Sequence, residues 1–251
     1  MDPVDKSEYT QRANELGWDV FQVPATNKHG LPLLKPMYAK IMDTYNATFY
    51  AYSNGDIIYD IGLVKTLTFL KSNLSSSSLV GVLIVGRRTN YYHEYPQNVL
   101  YTSDEVHKLG SKQKQFVVGA VDYFIIKGKS FPFHELPDFV VGRCAYDNYM
   151  IALALHSGFT GIDITATALA LHQDIHLCQH EDGKKGIASK YNKDMIESFR
   201  KMSMYIVNMN VGRIDFMPFY TYLDKDSKVD IRRRDKPLSY KKIEIRKKVP
   251  G

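Results

Sequence analysis

The chain has 251 residues, 44% of them hydrophobic and 24% charged, with a net charge of +6. That length buries a sizeable core as one large domain or two small ones, and the composition excludes a wholly disordered protein. No apolar run reaches the roughly 18 to 20 residues of a membrane span. The two cysteines, Cys144 and Cys178, are too few for a disulfide framework and form no CxxC zinc pair. The N-terminal segment holds no apolar signal region, so the sequence as given is expected in the cytoplasm. A Golgi or ER lumen is the alternative if it is a fragment, and only there would the sequons at Asn46 and Asn73 matter. Basic residues crowd the end of the chain at Arg232-Arg233-Arg234, Lys241-Lys242 and Arg246-Lys247-Lys248. We expect a single domain over 1–225 and a solvated basic tail over 226–251, and no nucleic-acid partner.

In chain order, residues 6 to 16 read as a helix and Asp19 to Val23 as a strand. Leu31-Pro32 opens a second helix, with Leu34, Met37, Tyr38 and Ile41 at three- and four-residue spacing. Phe49 to Tyr52 is a strand that stops at Ser53-Asn54-Gly55 and delivers one acid, Asp56. Asp60 to Lys71 reads as a helix. Leu79 to Val85 is a continuous apolar run, as in a strand buried on both faces, and ends at Gly86-Arg87-Arg88. Residues 91 to 114 read as loop and helix. Gly119 to Ile126 is a further strand with Asp122 inside it. Gly142-Arg143-Cys144-Ala145 leads through Tyr146-Asp147-Asn148 into a helix to His156. Ile162 to Leu171 leans to strand and runs into a loop with His172, His176 and His180. A helix from about Lys193 to Asn208 precedes a poorly defined end. The alternation of strand and helix predicts an α/β fold: a Rossmann-like, mostly parallel central sheet with flanking helices.

In such sheets ligands bind at the carboxyl ends of the strands. The polar strand ends around Asp56, Arg87-Arg88 and Asp147 would gather there. A carboxylate suits Mg²⁺ or Mn²⁺ together with substrate phosphates, and an arginine fork suits phosphate. Each residue also has a plainer role. Asn54-Gly55-Asp56 makes a good tight turn, Arg87 and Arg88 suit a solvated turn, and Asp147 suits a helix N-cap. Read chemically, Asp147 is a general base. The three histidines would line one helix face as a transition-metal site, although the surrounding residues favour a loop, in which His172 is the better ligand. Cys144 beside Arg143 lacks an identifiable histidine partner for nucleophilic chemistry. No GxSxG, Walker or GxGxxG pattern is present.

Taken in order, Tyr52-Ser53-Asn54-Gly55-Asp56-Ile57, Gly86-Arg87-Arg88, Val121-Asp122-Tyr123-Phe124, Gly142-Arg143 with Tyr146-Asp147-Asn148, and Ala170-Leu171-His172-Gln173 resemble a family of nucleotide-diphospho-sugar transferase-like proteins. The resemblance covers about residues 15 to 190 and implies the glycosyltransferase A fold. It implies metal-dependent transfer of a sugar from a nucleotide-sugar donor to an unknown acceptor hydroxyl, with inversion. Asp56 and His172 would hold Mn²⁺ or Mg²⁺, and Asp147 would be the catalytic base. Asn54, Arg87, Arg88, Asp122, Arg143 and Asn148 would bind donor or acceptor. Asn54 stands where the usual acid pair has its first acid, and Tyr146 where an indole is common. No strand is read that corresponds to the first nucleotide-binding strand. Those departures imply the alternative, a catalytically inactive relative serving as a binding or scaffold protein.

Overall fold

The computed structural model describes residues 8–74, 80–93, 101–175, 188–202 and 209–235. Helix α1 (Glu8–Glu15) buries none of its residues. The strand expected at Asp19 to Val23 does not form. That segment lies mostly exposed, and Asp19 accepts a hydrogen bond from the Tyr45 hydroxyl. Helix α2 (Leu34–Thr44) buries Leu34, Tyr38 and Met42, whose four-residue steps put them on one face. The Tyr38 hydroxyl then donates to the Phe124 carbonyl at 3.0 Å, so the one polar atom on that face is satisfied.

The remaining elements are β1 (Phe49–Ser53), β2 (Ile57–Tyr59), α3 (Gly62–Asn73), β3 (Val82–Val85), β4 (Arg88–His93), α4 (Ser103–Gly110), β5 (Tyr123–Lys127), α5 (Tyr146–His156), β6 (Thr160–Asp163), β7 (Ala170–Ile175), α6 (Tyr191–Met202), β8 (Phe219–Leu223) and β9 (Val229–Arg233). Helix α4 starts on a capping box in which Thr102 and Glu105 satisfy each other's backbone N–H groups.

The main sheet has the order β1-β5-β3-β6-β8-β9. It is mixed where a mostly parallel sheet was expected. β3 pairs in parallel with β6, and β6 with β8, while β5 runs against both β1 and β3. The cause is topological. The excursion through β4 and α4 leaves the top of β3 and re-enters at the same end, so β5 must descend. Residues alternate between the faces with period two. Leu83, Val85, Phe124 and Ile126 pack with α2 and α5 in one core. Val82, Ile84, Tyr123 and Ile125 pack with Leu70 of α3 in the other. The mixed α/β architecture with helices on both faces follows from strands apolar on both sides. Leu83 and Ile84 have no exposed surface, and burying each such side chain contributes about 1.5–3 kcal/mol. Replacing either by Asp would break the sheet's centre.

A smaller sheet, β2-β7-β4, sits at the top of the main one. Its strands follow the ends of β1, β6 and β3. Strand β4 replaces the loop expected after Gly86-Arg87. The end of the chain also differs from expectation. Strand β9 pairs antiparallel with β8 from Phe219↔Arg233 to Leu223↔Val229. Arg232 and Arg233 therefore belong to the sheet, and Arg234 donates to Asp163 at 2.5 Å. A tail from 226 is not what these residues form. Positions 236–251 lie outside the described residues.

Among the described residues no helix is long and apolar enough to cross a membrane.

Candidate functional site

Strands β1, β3 and β6 point the same way, and β5 starts where they end. This brings Asn54, Gly86 and Asp122 to one edge of the sheet. The Asn54 N–H donates to the Asp122 carbonyl at 2.9 Å and ties the turn after β1 to the start of β5. Gly86 is small for a visible reason. A Cβ there would sit 2.0 Å from the Tyr123 hydroxyl, and Tyr123 is buried.

The turn then delivers Asp56 to the small sheet. In register, His172 of β7 lies between Ile57 of β2 and Asn90 of β4. The Asp56 Oδ2 to His172 Nε2 distance is 3.2 Å, with His172 nearly buried and Asp56 partly exposed. Beside them, Asp122 Oδ1 accepts from Arg88 Nη1 at 2.9 Å and from the Asn54 amide at 2.8 Å. Asn54 Oδ1 in turn accepts from the Tyr52 hydroxyl at 2.8 Å and the Tyr146 hydroxyl at 3.3 Å. The Arg88 guanidinium lies over the Phe116 ring, 4.4 Å from its centroid.

Burial pushes the Asp122 carboxyl upward, and the charges of Arg88 and His172 pull it back. Asp147 sits in the first turn of α5, after Ala145, whose φ of 84° is left-handed. Burial pushes the Asp147 carboxyl up to about 6, although backbone N–H groups of Asn148 and Val121 bind its charged form. The Asp122 charge also raises it, and the hydroxyl of the adjacent Tyr146 lies 3.3 Å from Asn54 Oδ1.

Several buried atoms of this cluster have no hydrogen-bond partner among the described residues: Asp122 Oδ2, Arg88 Nε, Asn90 Oδ1 and His172 Nδ1. Buried polar groups are nearly always paired, so such atoms concentrated at one place mark a position for a polar ligand or water. A divalent cation fits the Asp56–His172 pair in one respect. Neighbouring donors on an octahedral cation with bonds of about 2.1 Å are about 3 Å apart, close to the 3.2 Å seen here. No group of three or more His, Cys, Asp or Glu converges among the described residues. The chain thus offers two donors, and a ligand such as a diphosphate would have to complete the shell.

The expected site residues divide. Asp56, His172, Asp122, Arg88 and Asn54 come together, and Asp147 follows Tyr146, whose hydroxyl reaches Asn54. Arg87 turns away from its neighbour. Its Nε and Nη2 donate to the Phe116 carbonyl and its backbone N–H to Thr165 Oγ1, at a small 210 Å³ pocket that also holds Asp163 and Arg234. Asn148 is a structural clamp rather than a ligand donor. Its amide donates to the Gly119 and Gly212 carbonyls at 2.9 and 2.6 Å, which uses both N–H bonds. Gly212 approaches so closely that a Cβ would meet the Asn148 carbonyl at 2.0 Å. Arg143 is buried, and its Nη1 donates to the Gly142 carbonyl. Cys144 is a free, partly exposed thiol. His172 lies in a strand, not on a helix face, and His176, Cys178 and His180 lie outside the described residues. Sequence reasoning missed Tyr52, Asn90 and the hub role of Asn54. The strand alternation around Asn54 could have suggested Tyr52, whereas Asn90 required knowing that β4 is a strand.

No family model matches the chain, and no curated protein and no solved structure matches it significantly.

Proposed function

We propose that the chain is a metal-dependent glycosyltransferase of the A-fold type that moves a sugar from a nucleotide-sugar donor to an acceptor hydroxyl with inversion. The observation that carries this reading is the cluster at the sheet edge: the Asp56–His172 pair at 3.2 Å, with orphaned polar atoms beside it. The ordered motifs that resemble those of nucleotide-diphospho-sugar transferase-like proteins support the same reading.

Asp56 Oδ2 and His172 Nε2 would hold Mn²⁺ or Mg²⁺ together with the donor diphosphate. The bound cation would offset the charge that develops on the leaving nucleoside diphosphate. Asp147 is the base. Its carboxyl near 6 is ionised at neutral pH yet more basic than an exposed aspartate, as general-base catalysis favours. The acceptor oxygen bonds to the anomeric carbon, the bond from that carbon to the diphosphate breaks, and the acceptor proton passes to Asp147. Asp122, fixed by Arg88 and Asn54, is left with Oδ2 to accept from a sugar hydroxyl. Titration with UDP- and GDP-sugars in the presence of Mn²⁺ tests this. Binding below about 1 mM is expected, and its absence from a folded sample would overturn the donor assignment.

A second reading, an inactive relative that binds without turnover, is favoured by Asn54. Its amide faces Asp122 at 2.8 Å, so the turn presents one acid, not two. Nucleotide binding with no sugar transfer or hydrolysis in the intact chain, and no further change in Asp147→Asn, would select it.

A further inference from the structure

Asn90 stands beside His172 on one face of the small sheet, and no step of the transfer above uses it. We infer that Asn90 is a positioning residue for His172: its Oδ1 accepts the Nδ1 proton when Nε2 gives its lone pair to a divalent cation. This deepens the sugar-transfer reading and rests on its cation site.

Strands β4 and β7 run parallel, and their register sets Asn90 directly beside His172. Side chains at paired positions share a face, with the strands about 4.8 Å apart. Both residues are buried, at 8% and 7% exposure. Asn90 Nδ2 donates to the Tyr92 hydroxyl at 3.3 Å. Asn90 Oδ1 and His172 Nδ1 have no partner among the described residues. On its other side His172 meets Ile57 of β2, whose side chain offers no acceptor.

The position of the ring proton explains why these two neighbours do not bond. A neutral imidazole carries one proton on two nitrogens. Here Nε2 lies 3.2 Å from Asp56 Oδ2, and a carboxylate facing Nε2 holds the proton there. Nδ1 then keeps a lone pair. Nδ1 and Asn90 Oδ1 are both acceptors, and two acceptors cannot pair. Using Nε2 as a cation ligand reverses this. The neutral ring keeps one proton, now on Nδ1, and a buried donor requires an acceptor. Asn90 Oδ1 is the unpaired acceptor on the adjacent strand. Asp122 Oδ2 is also unpaired, but it belongs to the ion pair with Arg88, whose Nε is the matching unpaired donor. A metal-bound histidine usually donates its other ring N–H in this way, which fixes the tautomer and the ring's orientation.

The test combines two readouts on the full chain. Nuclear magnetic resonance of isotope-labelled histidine, with His172→Ala to assign the signals, locates the ring proton. It is expected on Nε2 in the free chain and on Nδ1 once Mg²⁺ and UDP are added. The paramagnetic resonance of free Mn²⁺ gives the affinity in the presence of UDP. Asn90→Leu, similar in shape but without an acceptor, should weaken Mn²⁺ about 10- to 100-fold. Asn90→Asp, which keeps an oxygen at the same place, should restore most of that loss. If Asn90→Leu does not fold, Asn90→Ala carries the same comparison. Equal Mn²⁺ affinity in wild type and Asn90→Leu would overturn the proposal and leave the cation site standing. A ring proton on Nδ1 before any cation is added would overturn it too. So would one that moves to Nδ1 in loaded Asn90→Leu as it does in wild type. A folded wild-type chain that binds no Mn²⁺ with UDP would remove the cation reading itself, and this proposal with it.

Discussion

Two concavities differ in what their polar atoms still lack. One is a groove of about 1090 Å³ between α3, the 165–169 turn and the β8–β9 hairpin. There every lining carboxylate is held. Asp60 accepts from the N–H groups of Gly62 and Leu169 and lies 2.9 Å from His107 Nδ1. Asp224 accepts from the Asp226 and Lys228 N–H groups, and Asp230 from the Tyr222 hydroxyl and the Ile231 N–H. The groove's unused capacity is apolar surface. At the sheet edge the reverse holds. Asp122, Asn90 and His172 are buried and Arg88 is partly buried, yet each keeps one buried polar atom with no partner among the described residues. Burying polar groups without satisfying them is unfavourable, so the edge is organised at a cost that a polar ligand can offset. The groove carries no such cost. The edge suits an occupant won by hydrogen bonds and charge.

The largest effect that would sharpen this contrast is on turnover. Asp147→Asn is expected to lower kcat by about 10²- to 10⁴-fold while nucleotide binding survives; steady-state kinetics beside calorimetry would show whether it does. A loss of binding to match would make Asp147 a structural cap instead. In the wild type, kcat/KM should rise with pH through about 6 and level off, because the base must be ionised.

Next comes the buried pair. Arg88 and Asp122 side chains are 17% and 9% exposed. Arg88→Met leaves the Asp122 charge buried and should destabilise the fold by about 3–5 kcal/mol in chemical denaturation. Lys35 and Asp138 form an ion pair at 33% and 51% exposure, where Lys35→Met should cost no more than about 1 kcal/mol. Similar losses for both would mean the edge cluster is no more desolvated than the surface.

The pH dependence of stability carries a definite sign. The Asp147 carboxyl is raised from 3.8 to about 6 in the fold, so the native state holds that proton more tightly than the unfolded chain. Stability from this group is full below about pH 4 and falls as the pH rises from about 4 to 6, by at most about 3 kcal/mol. Burial raises Asp122 in the same direction. Denaturation midpoints across this window should show a fall that Asp147→Asn reduces. The smallest expected effect is at Ala145, whose left-handed φ of 84° is unfavourable for a residue with a Cβ. Ala145→Gly should be neutral or stabilising by up to about 1 kcal/mol in the same assay.

What the sequence disclosed and what it hid have physical causes. Helices α2 and α3 were legible from their apolar spacing, and β1 and β3 from apolar runs ended by small residues. Those signals are local. Strand β4 was read as a loop because Arg88-Thr89-Asn90 is polar, and only its pairing with β7 makes it a strand. Strand β9 carries Arg232 and Arg233 on a sheet edge, where charge is normal, and so it resembled a tail. Asp56, Asp147 and His172 were suggested by their places at strand or helix ends, whereas Asp122 was read inside a strand and drew notice through the resemblance alone; the chain's path brings Asp56, Asp122 and His172 to one edge. Arg87 and Asn148 show the limit of the same reasoning. A strand-end arginine and a helix-start asparagine look like ligand contacts, but nearby carbonyls take their N–H bonds. The Asp60–His107 pair joins residues 47 positions apart, and no sequence spacing announces it.

The most direct test of the sheet-edge site is a Mn²⁺ titration with and without a nucleoside diphosphate, followed by the paramagnetic resonance of free Mn²⁺. With only two protein donors in the Asp56–His172 pair, Mn²⁺ should bind weakly alone and at least about tenfold more tightly with UDP or GDP. Asp56→Ala and His172→Ala should each abolish that gain in chains that remain folded. Mn²⁺ binding that ignores the nucleotide, or that persists unchanged in both variants, would contradict the account.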